Sequence, residues 1–161
     1  MDGNNICPFC NPAILDYAFL ESSSHLALYN IAPILPGHSL IITKAHLTSI
    51  MELSEDELCE FVSFSRKAIR ILAHVFQTDA FNWTLQEKEE AGQTVAHMHV
   101  HILPRKPEDL PEPGEWYPKL ANNIDNFLDS LKRPRLSQTE MKPIIERLKK
   151  AATISGRSDN Q

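Results

Sequence analysis

The segment His97-Met98-His99-Val100-His101 carries three imidazoles on alternate residues. In an extended strand that spacing turns all three to one face and turns Met98, Val100 and Ile102 toward a core on the other. An isolated histidine is usually a packing or surface residue, but three on one face form a site for shared protons, an anion or a metal. Two chemistries fit. A neutral imidazole can attack phosphorus and become a phosphoramidate, or the face can ligate a metal that activates water. The neighbours favour phosphate. Gln86, Gln93 and Arg105 supply uncharged and cationic donors for its oxygens, and no carboxylate accompanies the triad as a further metal ligand.

A second constellation is Cys7-Pro8-Phe9-Cys10. With three cysteines in the chain pairing cannot be complete, and in a reducing compartment a Cys-x-x-Cys pair points to metal or redox chemistry before a structural disulfide. Cys59 stands apart, on the expected apolar side of a helix, and reads as a small buried hydrophobe.

The elements that must position these groups are legible from periodicity. Extended runs at residues 17–21, 25–30, 39–43, 81–86 and 95–103 predict about five antiparallel strands, with Pro33, Pro36 and Gly37 breaking the chain between the second and third. A polar, hairpin-like stretch at 87–92 precedes the histidine strand. Ser54-Glu55-Asp56-Glu57 has the spacing of a capping box, and Leu58, Phe61, Val62, Ile69, Leu72 and Phe76 then predict one apolar helix face, with Lys67 and Arg70 off it. Five prolines and four carboxylates at 104–118 predict a flexible loop, residues 120–131 and 139–152 predict helices, and 155–161 should fray. The fold class is therefore α+β: residues 1–120 form a catalytic domain with one antiparallel sheet and a long packing helix, and 121–154 a C-terminal helical extension. Apolar residues at 42% and charged residues at 23% are ordinary globular usage.

A net charge of −5 argues against a broad surface tracking a nucleic-acid backbone, while a few local donors can still hold a small anion. No apolar run approaches the roughly 20 residues of a membrane span, and the first ten residues lack the charged and apolar regions of a signal peptide, so a cytoplasmic or nuclear protein is expected. Lys132-Arg133-Pro134-Arg135 reads as a short basic run on a solvated surface. His25 and His74 read as surface or packing residues.

The run from Ala91 to Lys106, built around the alternating histidines, resembles the signature of the histidine-triad superfamily, specifically its fragile histidine triad branch of dinucleoside triphosphate hydrolases. Leu28-Tyr29-Asn30 with Leu35-Pro36-Gly37-His38 is similar to the family's ribose-binding strand and turn. Gln86, seven residues before Gln93, resembles the branch's phosphate-contacting glutamine, and Tyr117 the tyrosine of its mobile loop. The resemblance implies that His99 attacks the α-phosphorus of a dinucleoside polyphosphate, forms a nucleotidyl-histidine and yields it to water. On the same footing His101 would hydrogen-bond phosphate oxygens, and His97 with the backbone would orient His99. Gln86 would stabilise developing charge, with Gln93 a further phosphate donor; Asn30 would hold ribose hydroxyls, and Leu28 would line the base pocket. His38 is expected at the surface or behind the substrate-contacting residues.

Other branches of the superfamily carry a cysteine pair, and their likeness implies a structural zinc on Cys7, Cys10, His46 and His97. Magnesium or another divalent cation would arrive with the substrate, and a homodimer is implied as well. Alternatives within the superfamily are an adenosine phosphoramidate hydrolase and a diadenosine tetraphosphate hydrolase or phosphorylase. A slow-turnover nucleotide-binding signalling module is the alternative from another class.

Overall fold

In the computed structural model, which describes residues 7–120 and 133–158, the five apolar runs become one antiparallel sheet. Its strands are β1 Ala18–Glu21, β2 His25–Tyr29, β3 Ser39–Thr43, β4 Ala80–Leu85 and β5 His99–Arg105, in the order β1-β2-β3-β5-β4. Helix α1 spans Glu55–Phe76, α2 Trp116–Leu120 and α3 Gln138–Ser158. The expected helix at 120–131 lies outside the described residues except at Leu120. No helix among the described residues is long and apolar enough to cross a membrane.

Alternation sorts each strand between two faces. Val100 and Ile102 of β5 join Ala27, Tyr29 and Ile41 beneath α1 and α3, and Met98 just before the strand is buried with them. The opposite face carries Leu26, Leu28, Leu40 and Ile42, closed over by Phe9 and Ile14 of two short N-terminal 3-10 turns. His99 pairs with Ile42 and His101 with Leu40, so both imidazoles rise from this second face. The strand period therefore separates chemistry from packing, as the spacing predicts.

Helix α1 begins with the expected reciprocal cap: Glu57 N–H donates to Ser54 Oγ, and Ser54 N–H to the Glu57 carboxylate at 2.8 Å. Its buried stripe differs from the predicted one. Phe61, Phe64, Ser65, Ala68, Ile71 and Leu72 face the sheet, while Val62 is 43% exposed and Cys59 is exposed too, correcting its reading as a core residue. The small Ser65 and Ala68 are buried beside Phe64 and Ile71, so the inward stripe is rotated from the predicted one. Phe61, Ile71 and Leu72 are each at most 1% exposed, and burying such a side chain contributes about 1.5–3 kcal/mol.

Strand β5 starts at His99, four residues later than predicted, and runs two residues further, to Arg105. Pro104 is tolerated inside it because pairing with β3 stops at Ser39–Ile102, leaving only the β4 ladder at that end. The following loop is fastened at its start. Arg105 Nε and Nη2 donate to the two carboxylate oxygens of Asp109 at 2.9 and 2.7 Å, Nη1 donates to Asn82 Oδ1 and the Pro113 carbonyl, and Leu110 is buried.

The turn before β3 depends on Gly37. Its φ is +93°, and a Cβ there would lie 2.7 Å from Pro104 Cγ and 3.0 Å from the Phe76 ring. Gly37→Ala is expected to lower the urea-unfolding free energy by about 2 kcal/mol, from left-handed strain plus the clash. A change within 0.5 kcal/mol, the ordinary spread of surface substitutions, would mean the turn relaxes freely.

Candidate active site

The two strand histidines are held in defined tautomers by backbone groups. His99 Nδ1–H donates to the His97 carbonyl at 2.8 Å, which leaves Nε2 with the ring's lone pair. Ile34 N–H donates to His38 Nδ1 at 3.2 Å, so the proton of neutral His38 sits on Nε2 and is donated to His101 Nδ1 at 2.9 Å. His101 therefore carries its own proton on Nε2. A base and a donor nitrogen stand side by side, the ring centroids of His99 and His101 being 5.1 Å apart.

Burial keeps these rings neutral. It holds His99 below the ordinary imidazole range, although the bond to the His97 carbonyl works the other way. His101 lies well below that range, mainly through burial, with His38, His99 and Arg133 acting in the same direction. His38 is lowered to about 3, again mainly by burial.

A cavity of about 500 Å³ opens over this face. His99, His101 and Gln86 line it, with Leu28 and Asn30 from the end of β2 and Phe9 from the N-terminal turn. Asn30 Oδ1 accepts from Ala32 N–H, and Gln86 Nε2 donates to Thr84 Oγ1. His38 is wholly buried behind His101, on the inner of its two expected positions.

Two expected phosphate donors point elsewhere. Gln93 spends its side chain on the backbone, accepting from Lys88 N–H and donating to the carbonyls of Thr48 and His97. It thereby holds the carbonyl that orients His99. Arg105 belongs to the Asp109 ion pair and not to the cavity. Conversely, Arg133 and Arg135, read from sequence as solvated surface, line the cavity. Phe9 was also passed over, and its ring meets those of His97 and His99 edge-on at 5.6 and 5.3 Å.

His97 lies just before β5 and takes part in a separate cluster. Its Nε2–H donates to the Thr43 carbonyl at 2.8 Å, turning Nδ1 toward Cys7 Sγ at 3.4 Å and Cys10 Sγ at 3.6 Å. His46 Nδ1 lies 3.3 Å from Cys10 Sγ, and Met98 N–H donates to the Leu47 carbonyl, which ties the two histidine-bearing segments together. Ligand atoms of Cys7, Cys10, His46 and His97 all fall within 4.8 Å of one another, a set able to hold a metal ion. The Cys-x-x-Cys segment is the short turn Pro8–Cys10.

A family model for the HIT domain matches residues 12–108. The chain belongs to the HIT domain family. This HIT protein is 37% identical over 109 residues to a bis(5'-nucleosyl)-tetraphosphatase (asymmetrical) of Schizosaccharomyces pombe, covering 68% of the chain and 60% of that relative. It is 27% identical over 128 residues to a bis(5'-adenosyl)-triphosphatase of Dictyostelium discoideum, covering 80% and 85%. Among solved structures, a hypothetical histidine triad nucleotide-binding protein of Sulfolobus tokodaii shares the fold, with a TM-score of 0.70 at 24% identity over 91% of this chain and 92% of that one.

The neutral His38 gives this HIT domain an acid sensitivity of calculable sign. The unfolded chain binds the imidazole proton near 6.5 and the folded chain only near 3, so between those values unfolding takes up a proton and stability rises with pH. Denaturation midpoints should fall as pH drops below about 6.5. His38→Gln should flatten that slope, one proton accounting for at most about 1.4 kcal/mol per pH unit. Parallel pH profiles of wild type and variant would show that His38 does not titrate this way.

Proposed function

We propose that this HIT protein hydrolyses dinucleoside polyphosphates, taking diadenosine triphosphate to AMP and ADP through a nucleotidyl intermediate on His99. The observation that supports this best is the tautomer of His99: Nδ1–H tied to a backbone carbonyl and Nε2 carrying the lone pair beside a protonated His101 Nε2. In the first step His99 Nε2 forms a bond to the α-phosphorus while the phosphorus–oxygen bond to the nucleoside diphosphate breaks. The leaving oxygen keeps the electron pair and departs as the nucleoside diphosphate anion, while neutral His101 donates a hydrogen bond from Nε2–H to the phosphoryl oxygens and keeps its proton. In the second step water attacks phosphorus and releases a proton to solvent as the nitrogen–phosphorus bond breaks and its electrons return to His99 Nε2. Gln86 would stabilise charge on the phosphoryl oxygens. Asn30 would hold ribose hydroxyls, and Leu28 would pack on the base.

The fission-yeast likeness favours a second substrate, the tetraphosphate, in the same cavity. A divalent cation such as magnesium would travel with the polyphosphate, because no carboxylate lines the cavity among the described residues. Homodimerisation is proposed through the edge strand β4, whose Phe81 and Trp83 are 44% and 43% exposed. A cytoplasmic or nuclear setting is proposed from the free thiols.

Zinc is the metal we propose for the Cys7, Cys10, His46 and His97 cluster. Zinc–thiolate and zinc–imidazole bond lengths at tetrahedral angles separate sulfur from nitrogen by about 3.6 Å, and three such separations here are 3.3, 3.4 and 3.6 Å. Four protein ligands close the coordination shell, so the ion would supply structure and no open position for substrate. It would fix the Phe9 turn and the His97 carbonyl.

Nucleotide chromatography after incubation with magnesium and diadenosine triphosphate, diadenosine tetraphosphate or an adenosine phosphoramidate tests the reaction. AMP and ADP should appear from the triphosphate, and His99→Ala should lower the rate about a thousandfold or more. Turnover of the phosphoramidate alone would replace the proposed substrate, and no turnover of any would leave a nucleotide-binding module.

Metal content supplies an independent check. The purified protein should carry about one zinc per chain. The Cys7→Ser and Cys10→Ser double variant should lose it and melt at lower temperature, whereas full metal content in that variant would place the ion elsewhere.

A further inference from the structure

Arg133 follows the described body of the domain by a long interval of sequence, yet it is held against the cavity wall at two points. Its Nε–H donates to the Ala32 carbonyl at 2.9 Å across 101 residues, and Leu136 N–H donates to the Ile31 carbonyl at 2.9 Å. The segment thus runs alongside the turn that follows β2, and Leu136 packs into the main core. Ile31, Asn30, His99, His101, Arg133 and Arg135 share the same cavity lining.

The charge pattern of that lining is one-sided. Among the described residues no carboxylate lines the cavity, and the arginines are the residues there with a permanent charge. Permanent attraction for a polyanion at this lining comes from the guanidinium groups. A guanidinium is suited to this task because its planar donors match phosphate oxygens, and the Nε bond to Ala32 fixes its plane before a ligand arrives.

We propose that Arg133 is a phosphate-binding residue of the active-site cavity, delivered in cis by the segment preceding α3, and that it makes the site prefer anionic nucleotides over neutral nucleosides. This rests on the nucleotide reading of the cavity. Arg133 contacts phosphoryl oxygens next to the centre attacked by His99, while His101 serves as a neutral donor. Anion binding and neutral hydrogen-bond donation are thereby assigned to different groups.

Calorimetric titration of the full chain with AMP, adenosine and inorganic pyrophosphate, for wild type, Arg133→Gln and Arg133→Lys, tests the assignment. Arg133→Gln should weaken AMP and pyrophosphate about tenfold or more while adenosine changes less than about twofold, and Arg133→Lys should recover part of the loss. Equal weakening of AMP and adenosine would reduce Arg133 to a structural tether of the segment and overturn the proposal. Undiminished pyrophosphate and AMP binding in Arg133→Gln would overturn it as well. If wild type bound neither AMP nor adenosine, the nucleotide reading would fail. The pyrophosphate arm would still decide whether Arg133 binds phosphate, with absent or unchanged binding counting against it.

Discussion

The bond from His99 Nδ1–H to the His97 carbonyl is the contact on which the site depends, because it decides which nitrogen of the central imidazole is a base. That carbonyl is itself held. Gln93 donates to it from one side, and the His97 ring is fastened through Thr43 and faces the two thiols. Residue 97 thus has two functions split between main chain and side chain. Its backbone sets the tautomer of the nucleophile, and its imidazole belongs to the metal-binding cluster. Phe9 connects the two by touching both rings.

Neutrality of the buried imidazoles follows from the same architecture. Ions on the second sheet face would have to be desolvated, so the histidines remain uncharged and act as lone-pair and proton-bearing groups. The chain from Ile34 N–H through His38 to His101 transmits a backbone choice over two rings. Positive charge is left to arginines at the cavity margin, where water can still reach part of each side chain.

What could be read from sequence follows from how local its cause is. The histidine alternation, the Ser54 cap and the Pro36-Gly37 turn depend on neighbours within a few residues, and each is present in the structure. The α1 face was misread because the buried stripe includes Ser65 and Ala68 with Phe64 and Ile71 and leaves out Val62, a rotation set by packing with the sheet and α3. Arg105 had the right chemistry for phosphate but is claimed by Asp109 four residues on, a pairing that charge spacing could have suggested. Gln93 was expected to contact phosphate, yet its amide is spent on the backbone of Lys88, Thr48 and His97. Arg133 left no local signal, since Ala32, whose carbonyl it donates to, lies 101 residues away in sequence.

The cavity wall draws on residues 8–17, 28–40, 86–101 and 133–135. Such a wall has a high contact order, because its loops close only after distant stretches of backbone have met. On a ribosome the segment carrying Arg133 emerges after every strand, so assembly of the binding surface trails formation of the sheet. A product truncated before Arg133 could bury much of the strand core and still lack the cationic edge of its pocket, which makes competence depend on a segment made after the sheet.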